Sequence, residues 1–161
     1  MLLWTMSLAF AGKWEGVPAD VTAAKVLPVT KEQVTALLGD WRGWQAVMPE
    51  TCAGEWEIQS SSAGVGAKAK ALYTFGPVRR RLVGNFTKVE SGLVVETETE
   101  GKKGWFTQVT FADAPGGVEV KFNTPITPPK WPFTAVYYNK AKPAWEACYA
   151  GALDRIPGAV R

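Results

Sequence analysis

The sequence predicts an α+β domain built as one strand, two short helices, six further strands in an antiparallel meander and a long C-terminal helix. Three observations carry this prediction. A capped helix start follows directly on the first strand-like stretch, the hydrophobic period is two from residue 52 to 124, and it becomes helical after Pro132.

Residues 20–29 read as the first strand. Thr30 then supplies a helix N-cap, with Gln33 as the second half of a capping box. Val34, Leu37 and Leu38 form the apolar stripe of that helix and Gly39 stops it. Asp40 caps a second, shorter helix over 41–48, ended by Pro49. The meander is broken at Ser60-Ser61-Ser62-Ala63-Gly64, Gly76-Pro77, Glu90-Ser91-Gly92, Gly101-Lys102-Lys103-Gly104 and Ala114-Pro115-Gly116-Gly117. Within it Leu93, Val95 and Thr97 alternate with Val94, Glu96 and Glu98, and Trp105, Thr107, Val109 and Phe111 alternate with Phe106, Gln108 and Thr110. Val118, Val120 and Phe122 repeat the pattern, so one face is apolar and one is wet. After the Pro128-Pro129-Lys130-Trp131-Pro132 loop, Phe133, Val136 or Tyr137, Trp145, Cys148, Tyr149, Ala152 and Ile156 fall at helical spacing. Pro143 inside this stretch predicts a kink or a fresh helix near Lys142.

At 161 residues, 47% apolar and 20% charged, the chain has the composition of one globular domain. A domain of this length buries about 70% of its extended-chain surface. No apolar run reaches the roughly 18 residues of a spanning helix. A net charge of +3 is too small to argue for a nucleic-acid partner. Histidine is absent. That removes the usual general base near neutral pH, the Ser/His and Cys/His nucleophile pairs, and the commonest zinc and iron ligand. No metal or other cofactor is expected.

The first residues, Met1 through the small-x-small pattern Ala9-Phe10-Ala11, read as a secretory signal over 1–11, although no Lys or Arg precedes the apolar part. The rival reading is a strand-forming N-terminus. A linker over 12–19 and a binding domain over 20–157 complete the division, with export to the periplasm or medium expected. Cys52 and Cys148 suit either one disulfide in an oxidising compartment or two buried thiols in a reducing one. Gly64-Val65-Gly66 lacks the third glycine and following helix of a dinucleotide loop, so it reads as a tight turn.

The strand running into Pro28-Val29-Thr30-Lys31-Glu32-Gln33-Val34-Thr35-Ala36-Leu37-Leu38-Gly39-Asp40-Trp41, followed by Trp44, Met48-Pro49-Glu50 and Gly64-Val65-Gly66-Ala67, resembles the START-domain and polyketide cyclase (SRPBCC) superfamily. The resemblance covers about residues 20–156. It implies a helix-grip fold, a curved seven-stranded sheet wrapped around the last helix, with a cavity between them for a hydrophobic or amphipathic small molecule. The superfamily hosts lipid carriers, cyclases, ring-hydroxylase subunits and co-chaperones, so fold alone does not choose among them. A hydroxylase would need histidine ligands that this chain lacks.

On that fold the expected ligand-binding residues are Tyr73, Arg80, Leu82, Phe86, Val95, Thr97, Trp105, Thr107, Phe122 and Tyr137. Trp56, Ile58, Phe75, Val109, Phe111, Val120 and Thr124 share their inward faces, with Phe133 and Trp145 facing them from the helix. The alternative is that these rings simply fill the space as core. Strand alternation puts Arg80 on the face of Leu82 and Phe86, where its guanidinium suits a ligand carboxylate or phosphate. The alternative there is that Arg80 snorkels to water while Arg79 and Arg81 pair with Glu96 and Glu98. Tyr73, Tyr137 and Tyr138 are the candidates for polarising a carbonyl, but no two acids are placed to act as a catalytic pair. The helix-grip arrangement also sets Cys52, just after the second short helix, beneath Cys148, implying a disulfide; two thiols that never meet are the alternative. The leading reading is a non-enzymatic carrier of a lipid-like or isoprenoid-like molecule, with peripheral membrane contact allowed. A cyclase-type enzyme is second, and a protein-interaction module anchored by Trp41, Trp44 and Trp131 is third.

Overall fold

The computed structural model describes residues 13–90, 92–99 and 102–161; the expected signal segment over 1–11 lies outside the described residues. The elements are β1 (Val21–Leu27), α1 (Lys31–Leu38), α2 (Trp41–Val47), β2 (Ala53–Ile58), β3 (Lys68–Phe75), β4 (Val78–Lys88), β5 (Leu93–Thr99), β6 (Lys102–Ala114), β7 (Gly117–Thr124), a single turn α3 (Thr134–Val136), a π-helical turn (Tyr137–Ala141) and α4 (Lys142–Ala159). The seven strands form one antiparallel sheet in the order β1-β7-β6-β5-β4-β3-β2. Because β1 and β2 are the two edges, the chain between them must cross the whole sheet. The helices α1 and α2 make that crossing, and α4 lies along the concave face. The sheet is curled into a half barrel around it, as the sequence predicts.

Both halves of the predicted capping box form. The Gln33 amide N–H donates to Thr30 Oγ1 at 3.1 Å and the Thr30 amide N–H to Gln33 Oε1 at 3.0 Å. Asp40 Oδ1 accepts from the Arg42 amide N–H at 2.8 Å and opens α2. Gly64 and Gly66 both take left-handed φ, +84° and +87°, in the tight turn before β3. Trp41 and Trp44, expected as exposed anchors, are 1% and 4% exposed. They lie on the face of α2 that meets the sheet. Trp41 stacks on Phe86 with ring centroids 4.4 Å apart and donates Nε1–H to the Ala67 carbonyl; Trp44 meets Phe122 edge-on and donates to the Leu38 carbonyl. Gly84 of β4 makes room for this: a Cβ there would fall 2.4 Å from the Trp41 ring.

The irregularity expected near Pro143 takes the form of a π turn, through which the helical backbone runs on from α3 into α4 at Lys142. The Lys142 amide N–H reaches back five residues to the Tyr137 carbonyl, and Pro143, which has no N–H, occupies the first turn of α4. The wide π turn thus ends where proline removes the next helical donor. Phe133, expected to face the interior, stands 66% exposed in front of α3, because the helical stripe does not run unbroken through the π turn.

The outward arginine pairs elsewhere than with Glu96 and Glu98. Those two face Asn85 and Val83 in register, whereas Arg81 forms ion pairs with Glu55 and Glu57 of β2. A bulge between Gly54 and Glu57, with Glu55 in the left-handed region at φ +51°, turns both carboxylates toward it.

Cys52 and Cys148 form a disulfide, Cα to Cα 6.0 Å, which fastens the start of β2 to the middle of α4 across 96 residues. Reducing this bond, or replacing Cys148 with Ser in parallel with Cys52→Ser, should lower stability by about 2–5 kcal/mol. Urea unfolding with and without reductant measures it; identical midpoints would contradict a structural bond.

Candidate ligand site

All of β3, β5 and β6 present alternate residues to the concave face. Tyr73 and Phe75 come from β3, Val95 and Thr97 from β5, Trp105 and Thr107 from β6, while Trp145 and Tyr149, one helical turn apart, come from α4. Together with Trp44 and Met48 from the α2 end, they enclose a cavity of about 20 Å³. That volume holds one water molecule, since a water needs roughly 10–15 Å³ by the same measure.

The interior is narrow because rings fill it. Trp145 lies flat on Phe75, centroids 4.3 Å apart and planes 7° from parallel, and meets Trp105 edge-on at 4.8 Å. Phe75 ends β3 and Trp105 lies near the start of β6, so this triad sits at the end of the half barrel where α4 begins and plugs it. Trp105 and Tyr73 are half-buried, whereas Trp145 is buried. On the other side of the cavity Phe122 stacks on Tyr149 at 4.9 Å.

Its polar groups are hydroxyls. Tyr149 Oη lies 2.6 Å from Thr124 Oγ1 and 3.1 Å from Thr107 Oγ1, and the two threonines lie 2.8 Å apart, a closed triangle of hydrogen bonds. Thr97 donates to the Trp105 carbonyl at 2.7 Å. The Tyr73 hydroxyl makes no hydrogen bond among the described residues. Burial first, and then the neighbouring Tyr149, push the Tyr73 hydroxyl well above the ordinary tyrosine range. Burial also raises Tyr149, against the hydrogen bonds that stabilise its anion. Both are neutral donors at physiological pH. No carboxylate, lysine or arginine lines the cavity among the described residues, and none of them forms a cluster able to hold a metal ion.

The structure brings together Tyr73, Val95, Thr97, Trp105 and Thr107 of the sequence-derived set. Leu82, Phe86 and Phe122 are fully buried around them as core. Arg80 is exposed at the start of β4, opposite Tyr73 in register. Tyr137 is not at the cavity. It packs with Tyr138, Ala141 and Trp14, and its hydroxyl donates to the Ala19 carbonyl, so residues 13–19 are docked on the π turn. Sequence reasoning missed Trp44, Met48 and Tyr149 as wall residues. For Trp44 and Met48 the signal was their i, i+4 spacing, and for Tyr149 its place one turn after Trp145.

No family model matches the sequence, and no curated protein does. Solved structures do match in shape. The KanY protein superposes with a TM-score of 0.70 at 12% identity, over 85% of this chain and 93% of that one. A protein from Thermus thermophilus, TTHA0849, gives 0.63 at 15% identity, over 87% and 98%. An AHSA1-like protein from Aeromonas hydrophila gives 0.54 at 18% identity, over 87% and 90%. The protein shares the helix-grip fold of these structures. Here the space between grip and helix is reduced to a water-sized remnant with hydroxyls on its wall.

The tyrosines make this site legible by titration. A raised folded-state pKa means the unfolded chain loses its phenol protons first, so stability is flat up to about pH 10 and falls above it. Tyr73, Tyr137 and Tyr149 all carry such a shift. Alkaline titration followed by phenolate absorbance should show these residues ionising only as the fold is lost. Tyr149→Phe should cost about 1–2 kcal/mol, because Thr107 and Thr124 keep each other as partners; normal titration of the native protein near pH 10 would contradict the assignment.

Proposed function

We propose that this protein binds and carries a hydrophobic or amphipathic small molecule, of lipid or isoprenoid type, between the sheet and α4, without transforming it. The observation that supports this reading is the wall itself: aromatic rings and neutral hydroxyls around a residual cavity, with no charged group among the described residues to take up or deliver a proton. Such a wall selects by shape and by one or two hydrogen bonds. Tyr73, with a hydroxyl that has no protein partner among the described residues, is the donor for a ligand head group.

Size decides how the ligand enters. Drug-sized ligands occupy roughly 300–1,000 Å³, against about 20 Å³ here. A lipid-like molecule therefore takes the place of the plug, and Trp105 is the ring to move because it is already half-exposed. Peripheral membrane contact would deliver such cargo.

Organic extraction and mass spectrometry of the purified protein test the reading directly, with a co-purified apolar molecule expected. Trp105→Ala should bind a fluorescent polyene fatty acid about tenfold or more tighter than the parent, since the ligand no longer displaces a ring worth about 1.4 kcal/mol or more. A stability loss of about 3–5 kcal/mol with no ligand taken up by either form would mean that the rings are core and would end the proposal.

Export is the second part of the proposal. The disulfide and the absence, among the described residues, of any helix long and apolar enough to cross a membrane are compatible with it. Thiol titration of denatured, unreduced protein recovered from the periplasm or medium should find no free thiol, and two free thiols would refute it.

A further inference from the structure

The end of the half barrel that the aromatic triad plugs also carries an unusual surface. Antiparallel topology collects there the β3–β4 turn, the start of β6 and the 125–133 loop that leads from β7 into α3. Gly76 of the β3–β4 turn packs against the π turn, where an added Cβ would lie 3.0 Å from the Lys140 carbonyl. The loop is braced in turn by the Phe133 amide N–H donating to the Lys130 carbonyl and by Thr134 Oγ1 donating to the Pro129 carbonyl. We refer to these pieces at one end of the sheet as the rim.

Two properties coincide on it. Trp131 and Phe133 are 58% and 66% exposed and Val136 is 40% exposed, three large apolar side chains within six residues. At the same end Arg79 and Arg80 near the start of β4, Lys102 and Lys103 at the start of β6, Lys130 of the loop and Lys140 of the π turn are all exposed. None of these cations forms an ion pair among the described residues, whereas the neighbouring Arg81 pairs with Glu55 and Lys142 with Glu146. Glu15, Asp20, Glu98 and Glu146 are the described acids at this end, and Glu146 is taken up by Lys142, so the exposed cations of the rim outnumber the acids left to face them.

We propose that this rim is a docking surface for an anionic lipid bilayer, with Trp131 and Phe133 entering the interface and the cations meeting the head groups. Indole and phenyl rings on a projecting loop suit the head-group region, and cations around them add attraction that falls off within a Debye length. A single-stranded nucleic acid would need a groove with rings along its floor, and these rings are exposed on a loop instead. The location deepens the carrier reading and rests on it only for its purpose, since docking would set the plugged mouth against the bilayer.

Sedimentation with vesicles tests the proposal on the full chain. Binding is expected to phosphatidylcholine vesicles containing phosphatidylglycerol, to weaken with added salt, and to be much weaker on phosphatidylcholine alone. Replacing Arg79, Lys103 and Lys130 with Gln should cut the partition coefficient about fivefold for each charge removed. The pair Trp131→Ser and Phe133→Ser should weaken it further, while Lys68→Gln with Lys88→Gln, at the far end of the sheet, should leave it unchanged. Equal binding by rim variants and parent, indifference to phosphatidylglycerol, or preference for a single-stranded oligonucleotide over vesicles would overturn it. The readout is independent of cargo: vesicle binding by a protein that yields no extractable molecule would sustain the rim and sink the carrier.

Discussion

The indole of Trp145 is the contact on which the interior depends. A curled sheet and a straight helix leave a wide gap between them, and a gap must be filled by side chains, by a ligand or by water. Trp145 closes it at the plugged end by lying on Phe75 and abutting Trp105. Three residues on, Cys148 ties the same helix face covalently to the start of β2, and one residue further Tyr149 stacks on Phe122. Helix position, plug and hydroxyl triangle are thus consequences of one registration of α4 on the sheet.

That registration also sorts the chemistry. Inside, burial keeps the phenols protonated, so the cavity offers hydrogen bonds and dispersion but no fixed charge. Charge is displaced to the surface, where it divides again. On the flanks it is neutralised in pairs such as Lys25 with Asp154 and Arg81 with Glu55, worth little individually in solvent. At the plugged end Arg79, Arg80, Lys130 and Lys140 have no ion-pair partner among the described residues, as Lys68 and Lys88 have none at the other end.

The π turn separates two aromatic groups that would otherwise be continuous. By widening the helix just before Pro143, it leaves Tyr137 and Tyr138 facing Trp14 and the N-terminal residues 13–19, while Trp145 faces the sheet. The N-terminal segment is thereby held on the outside of the half barrel, next to the mouth but not across the cavity.

Period, caps and turns are local properties, and they determined most of the architecture from the sequence alone. The Thr30–Gln33 box, the glycine turns and the alternation of Leu93, Val95 and Thr97 each act within a few residues, so the strand and helix order and the inward faces were legible. The resemblance to the helix-grip fold supplied the cysteine pairing that spacing left open. What stayed illegible depends on distance across the fold. Trp41 and Trp44 became core because Gly84, more than 40 residues away, opens space for one ring. Arg81 chose β2 over β5 because a bulge turned Glu55 and Glu57 toward it. Above all, periodicity shows that Phe75, Trp105 and Trp145 point inward, but whether they line an open pocket or close it is set by how far apart the sheet's curvature holds their backbones. Only the tertiary structure supplies that separation, and it brings the rings into contact.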